Sequence, residues 1–389
     1  MKKAVKKPRK KPKFKPVKKS EPIDFILFTT IMLLIAIGVL MVYSASSYSS
    51  FNNKAINDST YYLKKQALWA ILGSACMLFT MKIDYHQLKK YTKPAMVIAI
   101  ILLCVVFAFP EVNGARRWIP LGFASIQPSE IAKYVVVLYL AASIEKKGDK
   151  IKSFFKGVLP YLLVSGFFAG LVVLEKNLSI AVVIMTVTLI ILFVAGIRFI
   201  YVLMVCGVVG AGGVLGIILE PYRLARFTSF LDPWKDPRGD GYQLIQSLLA
   251  LGSGGLWGAG LGQSRQKCYY IPEPHTDFIF SIIGEELGMI GCTIIVVLFV
   301  ILIWRGLVTA SKAKDTFGKL LAAGITSVIA IQAIINIAVV TGCMPVTGVP
   351  LPFISYGGSS LIFNLIAMGV LLNISRQNIS AEMKAEQKQ

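Results

Sequence analysis

The sequence predicts an all-α polytopic membrane protein with ten transmembrane helices, both termini in the cytoplasm and one large extracytoplasmic loop. The first observation is composition, since 55% of the 389 residues are hydrophobic and 16% are charged. A soluble protein of this size needs roughly a quarter of its residues charged. The second observation is that apolar runs of about 18 or more residues recur along the chain, and such runs are long enough to cross a bilayer.

Ten apolar runs mark the predicted helices. They lie near residues 24–45, 66–81, 94–109, 128–144, 157–174, 178–196, 199–219, 278–304, 320–341 and 359–375. With the N-terminus inside, the cytoplasmic segments carry 28 of the 41 Lys and Arg residues and the outer segments carry 12. Without the first 19 residues the bias is 17 to 12. The positive-inside rule therefore predicts that both termini are cytoplasmic.

The predicted regions are a basic cytoplasmic tail (1–22), a membrane domain (23–376) and a C-terminal cytoplasmic tail (377–389). Residues 1–19 hold eleven Lys and Arg and no acid, a composition typical of disorder. An RNA-binding arm is one interpretation of the tail. Contact with anionic lipid or a topological signal is favoured, so no nucleic-acid partner is expected. The extracytoplasmic loop (220–275) contains an amphipathic stretch at 242–251, too short to span and better placed at the interface.

Ionisable groups cluster near the predicted outer side. Because charge in a membrane is costly, each of these residues is expected to have a structural or functional role. Glu130 and Lys133 are spaced i,i+3 on one predicted helix and can pair. This spacing fits a structural ion pair as well as a functional role. Arg116 and Arg117 precede that helix beside Trp118, and two adjacent arginines at an outer face are unusual under the positive-inside rule.

Asp277 follows a Pro-rich stretch and opens a predicted helix. It or Thr276 could serve as the helix N-cap, a common use of both residue types. Projected at 100° per residue, a stripe of small residues lies within about 40° of Asp277. The stripe comprises Ser281, Gly284, Gly288 and Gly291 and indicates either tight helix packing or a groove. Glu285 and Glu286 lie two turns deeper and point elsewhere.

The turn-rich segment 345–360 opens the last predicted helix. Backbone N–H groups and hydroxyls at a helix N-terminus suit an anion such as phosphate. The candidate residues are Ser355, Gly357, Gly358 and Ser359. A helix break stabilised by packing explains the same pattern. The six cysteines show no metal-ligand spacing, so no metal site is predicted.

Three long motifs carry a family resemblance. They are 113–133 (NGARRWIPLGFASIQPSEIAK), 232–288 (DPWKDPRGDGYQLIQSLLALGSGGLWGAGLGQSRQKCYYIPEPHTDFIFSIIGEELG) and 345–360 (PVTGVPLPFISYGGSS). Over residues 24–376 the chain resembles the SEDS family (shape, elongation, division and sporulation), and its IIGEELG sequence resembles the branch of FtsW and SpoVE. One departure is Glu175-Lys176-Asn177-Leu178-Ser179, where many relatives have a Gln-Pro-Asp-Leu-Gly-type stretch, so a role tied to that aspartate does not transfer to Asn177.

The resemblance implies a SEDS-type fold and a peptidoglycan glycosyltransferase, which polymerises lipid II at the outer face of the bacterial cytoplasmic membrane during division or sporulation. The family's catalytic aspartate falls on Asp277, and inverting transfer is expected. The expected substrate contacts are Arg116, Arg117, Glu130, Lys133, His275, Ser355, Gly357, Gly358 and Ser359. His275 is also a weaker candidate for the base.

The expected partners are lipid II, a class B penicillin-binding protein and other division proteins at the septum. No cofactor is firmly implied, and a divalent cation (Mg or Mn) stays open. The alternative function is a lipid II flippase without transferase activity, which predicts polar groups at mid-depth along a translocation path. A scaffold that only binds a division partner is a further alternative, but it leaves the outer carboxylate and cations without chemistry.

Overall fold

The structure is a computed structural model that describes residues 23–111, 114–122, 125–219 and 221–386. Most of these residues are helical, and a short antiparallel ribbon joins β1 (Ile119–Pro120) to β2 (Ser125–Ile126). The helices are α1 (Phe25–Asn52), α2 (Tyr61–Thr80), α3 (Leu88–Val105), α4 (Pro128–Lys147), α5 (Leu159–Leu174), α6 (Leu178–Val194), α7 (Phe199–Ile218), α8 (Pro221–Leu231), α9 (Tyr242–Gly254), α10 (Ile279–Lys312), α11 (Thr316–Val340) and α12 (Gly358–Glu386). The predicted basic tail lies outside the described residues, and α12 continues through most of the predicted C-terminal tail.

The predicted apolar runs all coincide with helices, namely α1–α7 and α10–α12. Within the described ranges, seven helical stretches are long and apolar enough to cross a membrane. They are Phe25–Asn52, Tyr85–Ala108, Phe154–Leu174, Phe199–Gly216, Ile279–Lys312, Thr316–Val340 and Gly358–Ile379. Of the other helices at predicted spans, α2 and α4 are less apolar, and α6 is strongly apolar but only 17 residues long. An all-helical, multi-pass membrane protein is therefore confirmed.

α11 is the central helix of the bundle and α7 is peripheral. α11 packs against α4, α6, α10 and α12, and 72% of its apolar window is buried. Among the described residues, α7 packs mainly against its chain neighbours α6 and α8, and 6% of its apolar window is buried. Because lipid tails solvate apolar side chains, an exposed apolar helix such as α7 is stable in a bilayer but not in water. Polar groups on α11, by contrast, need partners within the protein.

One end of the bundle is fixed by capped helix ends. Asp24 accepts a hydrogen bond from Leu27 N at 3.1 Å and thereby caps α1. The same carboxylate pairs with Arg305 Nη2 of α10 at 2.6 Å. Asp315 caps α11 and accepts a hydrogen bond from the Tyr85 hydroxyl. The starts of α1 and α11 thus share one end with the last turns of α10, which leaves the segments before α10 and α12 at the opposite end.

α10 is broken at Gly288, whereas the sequence predicted one continuous helix there. Gly288 has φ 67° and ψ −165°, a conformation outside the helical region that glycine adopts without a Cβ clash. The end of α9 fills the break with backbone hydrogen bonds. Met289 N donates to Gly255 O at 2.9 Å, and Ala259 N donates to Glu285 O at 2.9 Å.

The small-residue stripe on α10 is a packing surface, not a groove. Gly254 approaches Gly284, and Gly258 approaches Gly288, so closely that a Cβ on any of these four glycines would overlap neighbouring atoms. The glycine-rich segment at 252–262 therefore allows α9 and its following turn to lie directly against α10. The predicted amphipathic stretch is α9 itself, and it buries Leu244, Ile245 and Ala250 against the bundle.

Candidate active site

The segment before α10 is held by the C-terminal part of the chain. Three successive carbonyls accept hydrogen bonds: His275 O from Tyr356 N at 2.9 Å, Thr276 O from Ser355 Oγ at 2.8 Å, and Asp277 O from Asn336 Nδ2 at 2.7 Å. Asn336 Nδ2 also donates to Val349 O at 2.8 Å. The predicted motifs around Asp277 and at 345–360 therefore meet, and the backbone that carries Asp277 is fixed from α11 and from the last loop.

The Asp277 carboxylate is not a helix cap. α10 begins at Ile279, and its N-cap residue, Phe278, makes no side-chain capping bond. Thr276 Oγ1 donates to Glu273 O at 2.8 Å instead of capping the helix. No protein group in the described chain hydrogen-bonds to the Asp277 side chain. The capping interpretation is therefore wrong, and the carboxylate is available to a ligand.

The pKa of Asp277 is raised to about 6. Burial of the carboxyl is the largest cause, and the negative charge of Glu273 raises the pKa further. The guanidinium groups of Arg117 and Arg226 oppose this shift. A carboxylate with a pKa near 6 is ionised at neutral pH and is a stronger base than an ordinary aspartate.

Arg117 and Arg226 provide positive charge beside Asp277. Arg117 Nε donates to Glu175 O at 3.3 Å, and its Nη2 donates to Lys176 O. A Cβ placed on Gly348 would lie 3.4 Å from Asp277 Oδ2 and 3.9 Å from Arg117 Nη1, so both groups face the same glycine. Arg226 of α8 reaches the loop between α11 and α12, which contains Gly348. There its Nη1 donates to Val346 O at 3.3 Å.

The adjacent arginines have different environments. Arg116 Nη1 donates to Phe107 O at 3.0 Å, and its Nε lies 3.5 Å from the Glu111 carboxylate at the end of α3. These contacts are exposed and lie on the α3 side of the loop. Of the two adjacent arginines, both predicted to contact the substrate, the structure brings Arg117 and not Arg116 close to Asp277.

Glu130 and Lys133 form a buried ion pair. Lys133 Nζ lies 2.7 Å from Glu130 Oε2 and donates to Gln332 Oε1 at 2.9 Å, with both charged side chains essentially inaccessible to solvent. Gln332 and Asn336 are four residues apart on α11, which is about one helical turn, or about 6 Å along the helix axis. The pair therefore lies roughly one helical turn below the bond that holds Asp277.

His275 lies in an aromatic cluster. Its ring centroid is 4.2 Å from that of Tyr62 and 5.4 Å from that of Tyr356. The imidazole is buried, its Nδ1 has no hydrogen-bond partner among the described residues, and burial lowers its pKa to about 4. His275 is thus neutral at neutral pH and contributes shape to the site without adding charge.

The start of α12 shows two kinds of serine. Ser355 accepts a hydrogen bond from Leu351 N at 2.8 Å while it donates to Thr276 O, so its hydroxyl is used within the protein. Ser359 Oγ is buried and has no partner in the described chain. Gly357 and Gly358 lead into the first turn of α12, and Gly358 packs directly against Trp69. Ser355 therefore stabilises the loop before α12, whereas the Ser359 hydroxyl has no hydrogen-bond partner in the described chain.

Glu175 adds a buried carboxyl that the sequence did not single out. Both of its carboxyl oxygens are buried without a hydrogen-bond partner among the described residues, and burial raises its pKa to about 8 against the opposing charge of Arg117. It is therefore mostly protonated at neutral pH. Asn177, two residues on, caps α6 by accepting from Ile180 N at 3.3 Å. The departure from the family pattern thus gives a capping residue and a neutral acid.

The deeper glutamates serve a different part of the protein, as predicted. Glu286 accepts from Ser44 Oγ at 2.6 Å and pairs with Lys267 Nζ at 2.7 Å. Glu285 accepts from Ser264 Oγ at 2.5 Å and from Arg265 N at 2.8 Å. In the described part of the chain, no three His, Cys, Asp or Glu residues gather into a group that could hold a metal ion.

Sequence reasoning missed Asn336, Gln332 and Arg226. The first two carried a readable signal, because amides spaced i,i+4 in an apolar helix lie on one face and need polar partners. Arg226 carried only a weak signal, since it is one of several basic residues in a long outer segment and its approach to Asp277 depends on the tertiary fold.

Comparison with known proteins supplies a second line of evidence. A family model for cell cycle proteins, covering FtsW, RodA and SpoVE, matches residues 24–380. Stage V sporulation protein E of Bacillus subtilis (strain 168) is 47% identical over 365 residues, which cover 92% of this chain and 98% of that protein. A probable peptidoglycan glycosyltransferase FtsW of Geobacter sp. (strain M18) is 43% identical over 364 residues, covering 92% and 98% of the two chains.

Two solved structures share the fold. A chain from a peptidoglycan synthase complex that coordinates polymerization and crosslinking superimposes with a TM-score of 0.75 at 28% identity, covering 92% of this chain and 98% of that one. The rod shape determining protein RodA of Thermus thermophilus gives a TM-score of 0.68 at 26% identity, covering 92% and 97%.

Proposed function

Because the chain belongs to the family of FtsW, RodA and SpoVE cell cycle proteins, we propose that it is a peptidoglycan glycosyltransferase that polymerises lipid II with Asp277 as general base. The observation that carries the assignment of the base is the Asp277 carboxylate. It has no hydrogen-bond partner in the described protein, has a pKa raised to about 6, and faces two arginines. A base, a pair of cations and an already activated sugar donor are sufficient for this chemistry.

In the proposed step, the 4-hydroxyl of the acceptor sugar attacks the anomeric carbon of the donor sugar. The Asp277 carboxylate takes the hydroxyl proton as the new C–O bond forms. The bond to the lipid pyrophosphate breaks, and the pyrophosphate leaves with the electron pair. Because the attack comes from the opposite face, an α-linked donor becomes a β-linked strand. Pyrophosphate is a good leaving group, so no strong general acid is required.

The leaving pyrophosphate is the proposed ligand of the cations. Arg117 and Arg226 are placed to neutralise its charge, because both guanidinium groups act on Asp277 and arginine suits phosphate oxygens. Arg116 is proposed to contact the same substrate nearer the surface. Lys133, paired with Glu130, adds positive potential one turn below. The start of α12, with Ser359, Gly357 and Gly358, is the proposed site for a further phosphate oxygen.

Substitution of Arg117 by glutamine should slow polymerisation by about ten- to a hundredfold, the range for loss of a hydrogen bond to a charged group. It should also raise the pKa of Asp277, since Arg117 lowers it. The acidic limb of the pH–rate profile should therefore move to higher pH. Arg116→Gln is the matched control and should leave that limb in place. An unmoved limb in Arg117→Gln would argue against electrostatic contact with the base.

The proposed topology has ten spans, cytoplasmic termini and the segment 220–275 outside. In a cysteine-free background, a cysteine at Arg238 should react with an impermeant maleimide added to intact cells. A cysteine at Ser311 should react only after the membrane is opened. Both side chains are exposed, so burial does not confound the comparison. Labelling of the Ser311 position from outside would refute the topology.

The proposed setting is the division septum of the bacterial cytoplasmic membrane, with a class B penicillin-binding protein as the cross-linking partner. The direct test supplies labelled lipid II to purified protein with that partner in detergent. Glycan chains should form, and they should disappear when the Asp277 carboxylate is removed. In detergent the substrate does not have to cross a membrane, so the assay measures polymerisation alone. A flippase without transferase activity would therefore give no product. The shared fold with a peptidoglycan synthase complex favours the transferase.

A further inference from the structure

A concavity of about 680 Å³ lies beside the break in α10, between the end of α1 and the loop 262–270. We call it the tyrosine pocket and define it by Ser47, Tyr48, Ser59, Gln263, Arg265 and Tyr270. None of these residues takes part in the reaction proposed above. The volume falls within the range of small-molecule binding sites, about 300–1,000 Å³.

Two buried carboxylates hold the wall of the tyrosine pocket. Glu285 accepts hydrogen bonds from Ser264 Oγ and from the backbone N–H of Arg265. Glu286 pairs with Lys267 Nζ at 2.7 Å and accepts from Ser44 Oγ on α1, which joins the loop to the opposite wall. The backbone of this wall is thus fixed before a ligand arrives, which lowers the ordering cost of binding.

The polar groups that line the tyrosine pocket are mostly unused. The side chains of Ser59, Gln263, Arg265 and Tyr270 make no hydrogen bond or ion pair within the described ranges, and Arg265 and Tyr270 are exposed. Tyr48 presents its ring, which meets the edge of the Tyr269 ring at 5.5 Å. Hydroxyl, amide and guanidinium groups are therefore free to bond a ligand, beside two aromatic faces.

This lining fits a saccharide that carries carboxylates. Sugar rings present C–H faces that pack on aromatic rings, and hydroxyl and amide groups that require hydrogen bonds at their edges. Arg265 can bind a carboxylate through two parallel N–H···O bonds. We propose that the tyrosine pocket binds the growing glycan strand, with sugars against Tyr48 and Tyr270 and a peptide carboxylate at Arg265, an assignment that rests on the proposed function.

The position of the pocket fits a strand that remains attached between transfers. Tyr270 and Asp277 are seven residues apart, so at most about 25 Å of chain separates them. A strand of a few sugars reaches from the base to the pocket. Retention of the strand makes successive additions more frequent than release, and loss of the pocket should therefore shorten the products without blocking single transfers.

A binding measurement tests the pocket apart from catalysis. Asp277→Asn protein is titrated with a lipid-free glycan tetrasaccharide that carries its peptides, and binding is measured by calorimetry. Adding Arg265→Gln and Tyr270→Ala should weaken binding at least tenfold. The matched control adds Arg238→Gln and Trp257→Ala, which remove an exposed cation and an exposed aromatic ring outside the pocket, and should bind normally. Equal affinity in both backgrounds would overturn the proposal.

A product measurement tests the consequence. With Asp277 intact, the Arg265→Gln/Tyr270→Ala protein should consume lipid II at a similar initial rate but release chains at least several-fold shorter than those of the wild type. Chains of normal length would refute the proposal, as would a defect that appears only when the penicillin-binding protein is present, which would make the pocket a partner contact. If wild-type protein made no chains but the tetrasaccharide result held, the failure would lie with the proposed function alone.

Discussion

Replacement of Asp277 by asparagine should lower the rate of glycan polymerisation by about 10²–10⁴-fold, the usual contribution of a general base. Asparagine keeps the size of the side chain and its ability to accept hydrogen bonds, but it cannot take the proton of the attacking hydroxyl. The folded yield should change little, because the carboxylate makes no hydrogen bond to the described protein and the backbone is held through its carbonyl. Near-normal polymerisation by folded Asp277→Asn would remove the proposed base.

The pH dependence gives the same test in the wild type. The proposed reaction needs the ionised Asp277 carboxylate, and the pKa of this group is about 6. The rate should therefore be level near neutral pH and fall about tenfold per unit below pH 6. Glu273→Gln is the matched control, because Glu273 raises this pKa. That variant should stay active and shift the acidic limb to lower pH, the reverse of the shift expected for Arg117→Gln.

Lys133→Met should have the largest effect on stability. The substitution leaves the Glu130 carboxylate buried without its cation, and breaking a buried pair on one side costs about 3–5 kcal/mol. A typical protein's net stability is about 5–15 kcal/mol, so this loss is a large fraction of it. The yield of folded protein after detergent extraction should therefore fall sharply, as measured by size-exclusion chromatography and thermal unfolding.

A double variant separates folding from function at this pair. Glu130→Gln with Lys133→Met removes both charges and should recover most of the folded yield, since no lone charge remains buried. If the Lys133 ammonium also adds potential at the pyrophosphate site one turn above, the recovered protein should polymerise lipid II slowly. If the double variant polymerised lipid II at the wild-type rate, the Glu130–Lys133 pair would have a purely structural role.

The sequence predicted the helices well because long apolar runs are local signals. All ten runs correspond to helices, but the break at Gly288 was missed, since a glycine in an apolar run looks the same in a straight helix as in a broken one. The break depends on the turn after α9, which is distant in sequence. The glycines on both sides were visible, but their contact was not.

The sequence singled out those site residues whose type and motif point to one kind of chemistry. Asp277 was singled out through its motif and its place before a predicted helix, whereas the exclusion of a helix cap required the observed start of α10. The positions of Arg116 and Arg117 could not be distinguished in sequence, because adjacent residues in a loop diverge according to tertiary contacts. The meeting of Asn336 with the Asp277 carbonyl joins residues 59 apart, which no local pattern reveals.

The three carbonyl hydrogen bonds before α10 have a consequence for the order in which the protein is made. Their donors, Asn336, Ser355 and Tyr356, are translated after the aspartate they position. A ribosome releases the chain from N- to C-terminus, so the backbone around Asp277 is held by these bonds only after the chain has been made as far as Tyr356. With Asp277 as the base proposed above, a nascent chain that stops after α10 would be inactive, and synthesis itself would delay activity until α11 and the loop before α12 have been made.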